Sequence, residues 1–400
     1  MDNTTNNNSK NLNSETKSIK IKPKFKAQNQ YCCASIEVKN NSCCCGGSEK
    51  GSTEPITIYD LKDTWIIGEM KTVSGMIPLI SSKLDFKDKL GSCKARWGIN
   101  RMNYKINPGI YATGTPDKEA PILVTANYKL TFDALRKELS DLNVWILVLD
   151  TKGINVWCAA GKGTFGTKEL VNRINKTKLH EIVSGRTLIL PQLGAPGVVA
   201  HEVTKLTGFK VIYGTVRAKD IKTYINSGMK ATNEMRTVKF TIYNRLVLTP
   251  MELVGTLKSS MIIFGILFLL NLFATNQFGF IDFYAYLGAL LAGCVVTPVL
   301  LPWIPGRAFA WKGWLVGLLW VVAVILLNRW VVEPSYSLIR VLGYLLIFPS
   351  VSAFYAMNFT GASTYTSLSG VLKEMKIAIP AIIATISVGV ILVLLNCFIY

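Results

Sequence analysis

The sequence predicts an α/β domain followed by an all-α five-helix transmembrane domain. Half of the 400 residues are hydrophobic, but they are unevenly placed, and a chain of this length exceeds one small domain. Up to about residue 250, charged and apolar residues interleave as in a globular protein. From Leu257 onward charges nearly vanish and apolar runs approach the ~20 residues a bilayer crossing needs. The expected division is a flexible tail over 1–55, an α/β domain over 56–250 and the transmembrane domain over 251–400.

The tail is rich in Asn, Ser and Lys and has too little large apolar surface to offset the entropy of ordering. It carries Cys32, Cys33, Cys43, Cys44 and Cys45, a thiolate density suited to a soft metal, with spacing that fits neither a zinc ribbon nor a ferredoxin run. No apolar core of signal-peptide length precedes the α/β domain, so a cytoplasmic location is expected for it, where nine cysteines are thiols or metal ligands rather than disulfides.

Within the α/β domain, strands and helices alternate in the way a largely parallel sheet requires. Ile122–Ala126 reads as a strand, 131–139 (TFDALRKEL) as an amphipathic helix capped by Thr131, and Val144–Leu149 as a buried strand. A helix over 167–175 follows, then a strand over Thr187–Leu190. A helix over Ala200–Thr207 is stopped by Gly208, and a strand over 209–213 closes the series.

Five apolar segments come next, at 257–274, 283–301, 311–328, 337–357 and 377–399. Seven Lys and Arg against three Asp and Glu from residue 257 onward leave +4 there, so +15 of the net +19 lies earlier in the chain. Such a basic domain beside anionic lipid is held toward the surface, and without an aromatic-basic binding motif the charge does not point to nucleic acid. An odd number of crossings puts the C-terminus outside. Arg307, Lys312, Lys373 and Lys376 then fall in inner loops, and Arg329 and Arg340 in outer ones. The segments lack the runs of ionisable residues that mark an ion pathway, against a transporter.

The stretch that carries chemistry is 149–166, LDTKGINVWCAAGKGTFG. Cys158 follows Val156 and Trp157 and precedes Ala159 and Ala160, small residues that let a flat macrocycle approach the backbone. A thiol among apolar groups is normally inert, whereas coordination to a metal favours the thiolate, and Lys162 adds electrostatic support. The same stretch contains a GxGxxG pattern at 161–166, between a strand and a helix. Glu181, about 20 residues on, precedes the next strand instead of ending one, so dinucleotide binding is the weaker reading. Neither histidine, His180 or His201, lies in a DxHxxG pattern, and His201-Glu202 lacks the second His of a zinc-protease helix.

These residues resemble the corrinoid protein of the microbial mercury-methylation system, whose signature is the cysteine run Asn155 to Lys162. Further likeness lies in RWGI at 96–99, VTANYK at 124–129, LPQLGAPG at 190–197 and MNFTGASTYTSLSG at 357–370. The resemblance implies a Rossmann-like corrinoid-binding domain, related to the corrinoid iron-sulfur protein of the acetyl-CoA pathway and joined to five membrane helices in the cytoplasmic membrane. It implies corrinoid-dependent methyl transfer to mercury(II), forming methylmercury, with methyl taken from a methyl-tetrahydrofolate-dependent donor. A ferredoxin-like partner with two four-iron four-sulfur clusters would reduce the cobalt.

By the same likeness Cys158 is the lower axial ligand of cobalt. Asn155, Val156, Trp157, Ala159, Ala160 and Gly161 shape the pocket beneath the corrin, and Thr125 faces it. Lys152, Gly153, Lys162 and Gly163 meet its amide side chains or nucleotide tail. Cys93, Cys294 and Cys397 are read as structural. Two other functions are compatible with the residues: a membrane-bound corrinoid methyl carrier of one-carbon metabolism, and a membrane receptor with an α/β ligand domain.

Overall fold

The structure is a computed structural model and describes residues 63–273, 278–329, 337–363 and 368–398, all within one compact unit, Lys50–Tyr400. The cysteines expected to capture a soft metal lie outside the described residues, as does part of the 357–370 block.

The chain opens with a hairpin, β1 (Ile66–Thr72) and β2 (Gly75–Ile80), followed by α1 (Phe86–Arg96), β3 (Gly109–Thr113) and β4 (Ile122–Ala126). Then come α2 (Lys129–Arg136), β5 (Val144–Leu149), α3 (Val156–Lys162), α4 (Thr167–Lys176), α5 (Leu179–Ile182) and β6 (Thr187–Leu190). The α/β part finishes with α6 (Ala200–Thr207), β7 (Lys210–Tyr213), α7 (Ile221–Asn226), α8 (Asn233–Arg236) and α9 (Ile242–Leu246).

Seven strands form one mixed sheet in the order β1-β2-β3-β5-β4-β6-β7. The run β5-β4-β6-β7 is parallel, whereas β3 pairs antiparallel with β5 and β1 with β2. The side chains of β5 show why both sheet faces are covered. Trp145, Leu147 and Leu149 enter one core with Ala159, Leu170 and Val203, and Val144, Ile146 and Val148 enter the other with Phe132, Ile221 and Tyr224. With alternate residues pointing to opposite faces, a strand buried throughout must have helices on both sides.

Three expectations change. The helix expected from Thr131 begins two residues earlier, because Tyr128 O accepts from the amides of Thr131 and Phe132, which brings Lys129 into the first turn. There Lys129 Nζ reaches Asp88 Oδ1 at 2.7 Å and Asp133 Oδ1 at 2.6 Å, while Arg136 binds Asp88 and Asp133 at 2.5 and 2.7 Å. This buried four-charge network ties α1 to α2. The GxGxxG run does not form a strand-to-helix turn, since Gly161 lies inside α3 and Gly163 ends that helix in the left-handed region. A dinucleotide fingerprint needs that turn to present backbone amides to a pyrophosphate. Lys312, Arg340, Lys373 and Lys376 are not loop charges, the last two lying within the helix Leu368–Phe398. Lys312 is buried in a helix with Nζ 2.5 Å from Leu301 O, and Arg340 is buried in another.

The C-terminal helices are α10 (Thr249–Asn271), α11 (Phe280–Leu291), α12 (Thr297–Leu300), α13 (Phe309–Leu327), α14 (Leu338–Asn358) and α15 (Leu368–Phe398). A π-helical turn, Ala292–Val296, joins α11 to α12 and admits Pro298 without breaking the rod, with Thr297 Oγ1 donating to Ala292 O. Five continuous helical stretches are long and apolar enough to cross a membrane: Ile242–Asn271, Phe280–Leu300, Phe309–Leu327, Leu338–Gly361 and Ser369–Phe398. Arg340 pairs with Asp282 at 2.8 Å, and Tyr344 Oη donates to the other carboxylate oxygen of Asp282 at 2.8 Å.

Candidate functional site

β5 delivers the chain to the carboxyl edge of the sheet at Leu149, and a tight loop then starts α3. Lys152 and Gly153 are both left-handed, with φ of 59° and 72°, a conformation a lysine adopts only under constraint. A Cβ at position 153 would also lie 2.9 Å from Met102 O. The constraint comes from Asn127, just beyond β4. Its Oδ1 accepts from Thr151 N, Thr151 Oγ1 and Gly153 N at 3.1, 2.9 and 3.0 Å, and its Nδ2 donates to Asp150 Oδ1 at 3.2 Å. From the other side, Glu169 Oε1 accepts from Asp150 N at 2.9 Å. Burial would raise the Asp150 carboxyl, but hydrogen bonds from the Lys152 ammonium and backbone outweigh it and hold the group below the ordinary carboxylate range. Lys152 is raised in turn, chiefly by that hydrogen bond.

The loop ends at Asn155, which caps α3: its Oδ1 accepts from Cys158 N at 2.9 Å. Cys158 is therefore fixed through its backbone, while its side chain stands on an exposed stretch of the helix. Ala159 and Ala160 are buried against the sheet core. Their small size serves the loop after β6, where a Cβ at Gly197 would fall 2.1 Å from Phe165 O and 3.0 Å from Ala160 Cα. Thus 149–166 and 190–197, singled out separately in the sequence, pack on each other. Gly161, Lys162 and Gly163 lie exposed at the far end of α3, and added Cβ atoms at the two glycines would meet nothing within 4 Å.

Beside α3 is a crevice of about 320 Å³ whose walls include Thr125, Asn155, Val156, Trp157, Pro191 and Thr215. Its position follows from topology. The crossover after β4 carries α2 on one face of the sheet, and that after β6 carries α6 on the other, so a gap opens between the carboxyl ends of β4 and β6. This is where open α/β sheets bind ligands. Of the residues expected to meet a macrocycle, Thr125, Asn155, Val156 and Trp157 come together here, and Cys158 adjoins them. Lys152, Gly153, Lys162 and Gly163 are not crevice walls.

Sequence reasoning did not assign Asn127, Glu169, Pro191 or Thr215. The signal for Asn127 was its place directly after a buried strand, where a side-chain amide can stand in for missing backbone partners. Asn127→Ala would orphan buried donors of the 151–153 turn at roughly 1–3 kcal/mol each, so a stability loss of about 2–4 kcal/mol is expected. Chemical denaturation reads that loss, and faster amide exchange over 150–158 localises it. Among the described residues no three His, Cys, Asp or Glu converge as a metal cluster.

Comparison with known proteins places the likeness in this same part of the chain. Residues 99–225 match the family model described as CO dehydrogenase/acetyl-CoA synthase delta subunit. The acetyl-CoA decarbonylase/synthase complex subunit gamma of Methanopyrus kandleri is 31% identical over 127 residues, covering 31% of this chain and 27% of that protein. The corrinoid/iron-sulfur protein large subunit of Moorella thermoacetica is 27% identical over 131 residues, 32% of this chain and 28% of that protein. The chain thus spans about a quarter of the length of these relatives. The matched region holds α3 and both sides of the crevice.

Proposed function

We propose that this chain is a membrane-anchored, corrinoid-dependent methyltransferase that passes a methyl group to inorganic mercury(II), with Cys158 as the residue that would hold the cobalt. The observation that carries the reading is the exposed Cys158 beside the crevice at the sheet's carboxyl edge, on a helix whose preceding turn is held from two sides. The residues fit such a group. A thiolate is a soft donor suited to a soft metal, and the uncrowded positions at Gly161 and Gly163 leave room for a broad, flat ligand. When bound, the corrinoid supplies the metal centre that carries the methyl group.

The protein's own part is positioning and electronic tuning. Asn155 orients the first turn of α3, and Asn127 and Glu169 fix the loop before it. Trp157 and Val156 present apolar surface at the crevice, with Thr125 at the end of β4 facing the same space. With a corrinoid bound, Cys158 would be the side chain that holds its metal, and a thiolate there would supply the electron density that suits methyl transfer to a soft acceptor such as mercury(II). Gly161, Lys162 and Gly163 form an open rim for polar substituents of the ligand, and Lys152 and Gly153 shape the turn behind it.

On this reading 56–250 is the corrinoid domain, held at the cytoplasmic face of the inner membrane by spans within 251–400, with 1–55 as an appended tail. Electrons come from a ferredoxin-like partner with two four-iron four-sulfur clusters, and methyl from a methyl-tetrahydrofolate-dependent donor. A second reading, a membrane-bound corrinoid methyl carrier of one-carbon metabolism, is favoured by the names of the relatives above.

Deleting the gene and assaying the strain separates the two. Loss of methylmercury formation with unimpaired one-carbon growth is expected. Undiminished methylmercury formation would overturn the proposal, and a growth defect on one-carbon substrates with methylmercury retained would favour the second reading. A purified protein without cobalt would favour a membrane receptor instead.

A further inference from the structure

Helix α1 is amphipathic the wrong way round for a soluble domain. Its inward side carries Asp88, buried in the ion network with Lys129 and Arg136, and the small Ala95. Its outward side carries Phe86, Leu90, Cys93 and, one residue past the helix end, Trp97, a spacing of four, three and four that places all of them on one stripe. Phe86 is 77% exposed and Trp97 44%. The turn that follows adds Ile99 and Met102, exposed by 59% and 58%. On the helical wheel Lys87 and Lys94 flank the stripe on one side, and Lys89 and Arg96 on the other.

An exposed apolar stripe bordered by basic residues on both sides fits an anionic bilayer surface, where rings and alkyl groups enter the headgroup layer and ammonium groups meet phosphate. Position supplies the second argument. A Cβ on Gly98 would lie 3.4 Å from Met251 Sδ and 3.8 Å from Val254 Cγ1, so the 97–102 turn rests against the first turns of α10. That helix opens the apolar, span-length part of the chain. The stripe therefore begins where the chain turns toward lipid.

We infer that the outward face of α1 and the 97–102 turn form a lipid-docking surface that seats the α/β part on an anionic leaflet. The inference rests on reading the apolar helices as membrane spans, and goes beyond it in assigning a second, peripheral attachment to lipid. It gives the α/β part a fixed tilt on the membrane instead of a tether through α10 alone.

The test is hydroxyl-radical footprinting of the full chain in three settings: dodecyl maltoside, phosphatidylcholine nanodiscs, and nanodiscs containing about 30% phosphatidylglycerol. Trp97 and Met102 are expected to be labelled about fivefold less in the anionic discs than in the neutral ones, with exposed Met229 unchanged as a control. The double variant Lys87→Glu/Lys94→Glu, altered at exposed positions that leave the ion network intact, should return labelling to the neutral-disc level.

Equal labelling in both discs would overturn the inference, and is the outcome if the occupant is an acidic protein. Suppressed labelling already in detergent would overturn it too, because another part of the chain or a second copy would then cover the stripe. A chain that enters neither disc would sink the spanning reading, and this one with it. A chain that enters both discs but stays labelled sinks this one alone.

Discussion

Replacing Cys158 by alanine is expected to reduce methylmercury formation to background and to remove the thiolate-to-cobalt signature from the visible spectrum of the purified protein. The fold should survive, because Cys158 is an exposed residue and the substitution leaves unchanged its backbone amide, which donates to Asn155 Oδ1 at 2.9 Å. An alanine keeps that amide and fits a helix well. The substitution therefore separates ligation from structure, and an unaltered circular-dichroism melt should accompany the loss of activity. Normal methylation by the variant, with an unchanged spectrum, would remove the central claim. Asn155→Ala should behave differently, loosening the start of α3 by about 0.5–2 kcal/mol while leaving the thiol available.

The largest effect on stability is expected at Arg136. Its guanidinium is fully buried and donates to Asp133, to Asp88 and to the carbonyls of Ser81 and Lys83. Arg136→Leu would leave two buried carboxylates with Lys129 as their shared ion-pair partner and two carbonyls without their arginine donor. Breaking a buried ion pair by removing one partner typically costs about 3–5 kcal/mol, a large fraction of a domain's total stability. Urea denaturation of the detergent-solubilised chain measures it. A loss under 1 kcal/mol would mean that water or a neighbouring side chain replaces the arginine in the interior.

How much of this was legible in the sequence depended on whether apolar pattern and burial coincide. β4, β5, β6 and α6 are short apolar runs or helices closed by clear signals, such as Gly208 in the left-handed region after α6, and the sequence reading places them within a residue. The five apolar helices were equally plain, because length and hydropathy decide them. Helix α1 was missed for a physical reason: its aspartate faces inward and its large apolar residues outward, which inverts the pattern that reveals a surface helix.

Helix α3 was hidden in a different way. Seven residues with three glycines and alanines give no periodicity, and the cap at Asn155 shows only once its hydrogen bond to Cys158 is seen. Of the candidate site, the cysteine run and Thr125 were legible as types and positions. The clamp through Asn127 and Glu169 was not, since it joins residues 23 and 19 apart with no local signature.

The pairing of Asp282 with Arg340 bears on how the chain is made. Both charges stand in the first turn of their helix, where a bilayer would penalise them less than the roughly 2.5–3.5 kcal/mol of a charge at a helix centre. Within α11 the Asp282 carboxylate accepts only from Gly279 N, at 2.7 Å, and the guanidinium that neutralises it lies 58 residues later on α14, together with Tyr344. Electrical neutrality is thus a property of the assembled bundle and of neither helix by itself. Assembly of the helical part has a built-in order, in which α11 reaches its neutral setting only after α14 has been synthesised.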